Sequence, residues 1–159
     1  MSPLHYCKGW FRAKKRALDA YSASEALTRH RQGDPYCVLA GSVDAPICFL
    51  EVGRGFVGVS FLDARLRENL SYDFQEVEPG RLFLTMATWR DFVGDTDAVA
   101  KGTTYTFTPS GQVHMQEESF YPAHCISKSS QQSDVSPNWD TFPEFGSYSQ
   151  LARAERLPG

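Results

Sequence analysis

From Tyr36 onward the chain alternates short apolar runs with clusters of Gly, Pro, Asp and Ser. "YCVLAG", "ICFLEV", "GFVGVSFLD", "NLSYDFQEV", "RLFLTMATW", "TTYTFTP" and "QVHMQEESF" are rich in β-branched and aromatic residues. Apolar side chains recur at period two in Leu70/Tyr72/Phe74, in Tyr105/Phe107 and in Val113/Met115, where His114 and Gln116 face the other way. That period predicts half-buried strands. "EPGR" (Glu78–Arg81) and "PSG" (Pro109–Gly111) carry turn residues, so consecutive strands pair as hairpins. Residues 36–121 are expected to form an antiparallel β-meander, strongly bent or closed to a half-barrel. Within it Val59, Leu62, Leu66 and Leu70 also match helical spacing, which leaves strand and helical turn both open for residues 59–70.

The flanks read differently. Between Trp10 and Leu27 apolar residues fall at helical spacing among good helix formers, and Gly33 with Pro35 supplies a stop. A helix over residues 8–31, packed on the sheet, is predicted. "SKSSQQSDVSPN" has little to bury, and residues 127–138 read as an exposed linker. After it, "PNWDTFPEFGSYSQLARAER" sets Trp139, Phe142, Phe145, Tyr148 and Leu151 along a tail, with a Ser147–Gln150 capping box that predicts a short helix. Each such side chain contributes about 1.5–3 kcal/mol on burial, so residues 139–156 are expected to dock on the domain. The sum is a single α+β domain.

Charge adds an asymmetry. Residues 1–31 hold seven basic and two acidic side chains, the remainder nine and seventeen. Either a basic helix complements its own acidic sheet, or an acidic body faces a basic partner. The acidic sheet argues against nucleic acid. No apolar run is long enough to span a bilayer, no secretory signal is visible, and four scattered cysteines read as reduced thiols, so a cytoplasmic address is expected.

Candidate chemistry is sparse. "GRGFVG" (Gly53–Gly58) matches a dinucleotide fingerprint but leads into strand-like sequence, so a glycine-rich hairpin is preferred and no cofactor is expected. His5, Cys7, Cys37, Cys48, His114, His124 and Cys125 lack the local pairs of a zinc site. Asp91, Asp95 and Asp97 with Glu117 and Glu118 lack the spacing of a calcium loop. No catalytic residues are assigned.

The succession "GVSFLDARLRENLSYDFQEVEPGRLFLTMATWRDF" followed by "NWDTFPEFGSYSQLARAER" resembles bacterial immunity proteins encoded beside polymorphic toxins. The resemblance implies a non-catalytic protein that binds a cognate toxin domain, such as a nuclease, and occludes its active site. Trp89, Asp91, Asp95, Asp97, Glu117 and Glu118 are the partner-binding candidates, chosen for expected exposure and charge. The alternative is a barrel-like protein, or an enzyme, that holds a small molecule against its curved sheet.

Overall fold

The seven short β-branched and aromatic runs become seven consecutive antiparallel strands. The computed structural model describes residues 2–156. In it β3 (Tyr36–Ala40), β4 (Cys48–Gly53), β5 (Phe56–Leu62), β6 (Glu68–Glu78), β7 (Arg81–Phe92), β8 (Val99–Phe107) and β9 (Gln112–Ser119) each pair with the next. Residues 59–70 resolve as the end of β5, a turn and the start of β6, with Val59 and Leu70 both buried in the ladder. Register shifts at Phe61/Leu62, Asp73/Phe74 and Asp91/Phe92 interrupt the ladder, as bulges do where a sheet bends.

The predicted helix over residues 8–31 is not there. Residues 8–21 of it belong to a hairpin of β1 (Leu4–Phe11) and β2 (Arg16–Tyr21), and only α1 (Ala23–Gln32) is helical. The helical spacing of Trp10 and Ala17 coincides with a hairpin register that places them directly opposite one another. Lys15 turns the chain with φ 52°, which a helix excludes. Ser22 then caps α1, its Oγ accepting from the Glu25 amide at 3.1 Å, and Gly33 closes it at φ 74°. β1 inserts between β2 and β3 in the sheet, and β3 is buried on both faces by two separate side-chain clusters. Tyr36, Val38 and Ala40 join the main core, while Cys37 and Leu39 pack with Cys7, Trp10 and Phe49.

The expected linker is also structured. Cys125–Gln132 forms β10, which pairs with β9 along its whole length and ends the sheet opposite β2. Every residue of β10 is exposed, so there was no apolar period to betray it. A 3₁₀ turn at Ser136–Asn138 leads into β11 (Trp139–Thr141), which pairs with the first residues of β7. Among the described residues the fold is an open antiparallel meander of eleven strands with one short helix, not an N-terminal helix laid on a sheet.

Beyond β11 the chain crosses one face of the sheet from β7 to β1. Phe145 stacks on Tyr6 at 5.0 Å, and the Tyr148 hydroxyl meets that of Tyr36 at 2.9 Å. Tyr36 in turn bonds His30 Nδ1 at 2.7 Å, and Tyr72 donates to the Ala154 carbonyl at 2.7 Å. Burial, then the charge and hydrogen bond of Tyr148, pushes the Tyr6 hydroxyl up to about 12, and burial holds His30 below the usual imidazole range. The short helix predicted after Ser147 is absent: the Ala152 amide bonds the Tyr148 carbonyl in an isolated turn, and Gly146 at φ 87° bends the approach. Arg156 closes the segment, buried over the Phe74 ring and paired with Asp140 at 2.8 Å.

Candidate functional site

The face covered by this segment between β1 and β7 is left open farther along, across β8 and β9. Cross-strand register explains what lies there. Trp89, Thr103 and Glu117 form one row, Ala87, Tyr105 and Met115 a second, and Phe107 and Val113 a third. Alternation sends all of these side chains to the same face. Trp89 meets Tyr105 edge-on at 5.6 Å, and Tyr105 stacks with Phe107 at 6.2 Å and 13°. The far wall is the segment that follows β10, with Asp134, Val135 and Pro137. It is pinned by buried Asn138, whose Nδ2 donates to the Leu84 carbonyl at 3.0 Å, and by Val135 packed on Phe83 and Val113. Between the walls runs an open groove of about 590 Å³.

Two carboxylates, Glu117 and Asp134, line the groove, and no Lys or Arg does. The Ser136 amide donates to Asp134 Oδ1 at 3.0 Å and holds that carboxyl below its ordinary range. Glu117 has Lys101 at 3.9 Å, too far for a tight pair. Apolar rings below and negative charge at the rim suit a cationic group on an apolar or planar body.

Of the six residues predicted from sequence, only Trp89 and Glu117 come together here. Glu118 alternates to the opposite face and bonds His124 at 2.7 Å. Asp95 and Asp97, at the β7–β8 turn, are engaged by Arg65 at 3.0 Å and Lys15 at 2.8 Å. Asp91 lies on β7 opposite Lys101. Asp95 and Asp97 are therefore paired within the chain, and the three aspartates do not mass into one acidic patch. Tyr105, Phe107, Val113 and Met115 were visible as alternating residues, but alternation alone does not separate a filled face from an open one. Asp134 and Asn138 lay in polar sequence with no signal.

No family model, curated protein or solved structure matches the chain.

The remaining sequence motifs resolve structurally. "GRGFVG" is the β4–β5 hairpin, turning at Gly55 with φ 68°, and Gly58 pairs with Asp73 in the ladder beneath the Phe56 ring. Cys7, Cys37 and Cys48 are buried thiols, with burial raising Cys48 to about 11, while Cys125 is exposed on β10. Among the described residues, no group of three or more His, Cys, Asp or Glu gathers to hold a metal ion. No helix among them is long and apolar enough to cross a membrane.

Proposed function

We propose that this is a non-catalytic binding protein of the immunity type its sequence resembles, and that the groove receives an extended segment of a cognate toxin. The observation that carries the reading is an aromatic groove with carboxylates and no cation in its lining. Beside it β10 pairs, among the described residues, with β9 alone, which leaves its outer amides and carbonyls to a further strand. A segment with basic and apolar residues would lie along the groove with its side chains against Tyr105 and Met115, and its continuation would add to β10 at the sheet edge. Buried aromatic anchors would supply most of the affinity, and the carboxylates the speed and salt dependence of encounter. Occlusion of the toxin follows from steric cover and needs no chemistry from the protein.

The test is co-expression with the toxin domain encoded beside the gene. The protein should co-purify with that domain and restore growth. Met115→Lys and Glu117→Lys should each weaken binding about tenfold or more while leaving the fold intact. A toxin that kills equally with and without the protein overturns the reading, and wild-type affinity in both variants removes the groove from it. A second reading is favoured by the groove's volume of about 590 Å³, which falls within the range of small-ligand sites. Retention of a planar cation such as a dye by the isolated protein, competing with no polypeptide, would select it.

A further inference from the structure

A second cavity lies on the opposite face of the sheet, independent of the groove. It holds about 230 Å³ where the β1–β2 turn, the residues between β5 and β6 and the β7–β8 turn converge. Trp10, Leu62, Leu66 and Phe92 give it apolar walls. Four cationic side chains line it against two carboxylates. Three of the four are committed. Arg12 bridges Glu51 at 2.7 Å and Glu68 at 3.0 Å, and Lys15 holds Asp97 at 2.8 Å. Arg67 holds Asp63 at 2.8 Å and lies over the Phe92 ring. The fourth, Arg90, has a single hydrogen bond among the described residues, a long one of 3.4 Å to Ser71 Oγ. Asp73 feels its field but makes no bond to it.

The rim is held in an unusual backbone state. Lys15 at φ 52° and Leu66 at φ 58° are two of the three non-glycine residues in the left-handed region among the described residues, and both line this cavity. Such conformations persist only when neighbours impose them. Here Asp63 Oδ1 accepts from the Arg65 and Arg67 amides at 2.9 and 3.0 Å, and Lys15 Nζ ties the first turn to the Arg65 carbonyl at 3.0 Å. Arg67 reaches across to the Gly94 and Thr96 carbonyls at 2.9 and 3.0 Å. Three loops are thus fastened together around a small chamber that holds one underused guanidinium.

We infer that this chamber binds a small organic carboxylate, its carboxylate on Arg90 and its apolar body between Trp10, Phe92 and the two leucines. A guanidinium fork matches a carboxylate bidentately, and Arg90 is the one of the four cations without a carboxylate partner among the described residues. The apolar walls favour an organic acid over a bare inorganic anion. The volume has room for roughly eight water-sized groups, the size of a single ring with its carboxylate.

Benzoate is the probe, with benzamide as its neutral counterpart and inorganic phosphate as an anion without an apolar body. Titration followed by amide and indole NMR should move the Trp10 indole N–H (assigned with Trp10→Phe) and the Phe92 amide saturably with benzoate. Arg90→Gln should weaken that response at least about fivefold while spectra of β3–β6 stay unchanged. If Arg90→Gln does not fold, the wild-type comparison decides, since benzamide should bind at least about fivefold more weakly than benzoate. Equal binding of benzoate and benzamide, phosphate binding as well as benzoate, or no shift up to about 50 mM benzoate overturns the inference.

Discussion

The strongest residue-level demand in the molecule is at Arg156. Its side chain is fully buried, with one carboxylate partner in Asp140 and a second bond to the Gln150 carbonyl at 2.7 Å, and two of its nitrogens have no partner among the described residues. Burial lowers the Arg156 pKa, the sign of a charge held out of water. Removing the counter-charge is costlier than removing the pair. Asp140→Asn should therefore destabilise by about 3–5 kcal/mol in urea unfolding, and adding Arg156→Met should recover most of it. Single and double variants of equal stability would show that the pair carries no such coupling. Asp73 presents the opposite case. Burial first, then the neighbouring Glu51 and Glu68, raises its pKa above the usual carboxylate range. A carboxyl whose folded pKa is raised binds its proton more tightly in the folded state. Its contribution is favourable at acid pH and is lost as pH rises through the folded value. Asp73→Asn should consequently raise Tm at pH 7 by about 1–3 °C and by less at pH 4, read by calorimetry at both. A larger gain at pH 4 would contradict that sign.

At the scale of elements, the segment after β11 is the one whose loss matters most. Leu151 and Tyr148 are almost fully buried against Tyr36, Tyr72 and Phe74, so Leu151→Ala should cost about 2–5 kcal/mol by chemical denaturation. A cost below about 1 kcal/mol would mean that the segment is not part of the cooperative core. The aromatic and leucine content of this segment was legible in the sequence, as were the β3–β9 strands: alternating burial is written into β6, and short β-branched and aromatic runs between turn residues mark buried strands such as β3 and β5. β10 was not legible, since a strand exposed along its whole length selects for no apolar face. The β1–β2 hairpin misled for a different reason: Ala, Lys and Arg favour helix locally, and the pairing of Cys7 with Cys37 and of Tyr6 with Val38 on β3 overrides them. Half the groove was missed because its far wall, at Asp134–Asn138, is positioned by one buried amide and one valine rather than by a pattern.

For the whole molecule, the sheet is deeply buried at its centre and progressively thinner toward β10. Amides of β5 and β6 should exchange only with global unfolding, whereas those between β9 and β10 should exchange at least about 100-fold faster at equal intrinsic rates. Uniform protection across the ladder would refute this gradient. The one helix among the described residues buries only Ala26 fully and lies beside β1, β2 and β3 at one end of the sheet rather than forming a layer of its own. The covering segment at residues 142–156 follows every strand in chain order. During synthesis on the ribosome, Tyr36, Tyr72 and Phe74 must therefore wait, uncapped, until the whole meander has emerged. A nascent chain halted before Tyr148 presents a sticky aromatic face, and is the form that chaperones would be expected to meet.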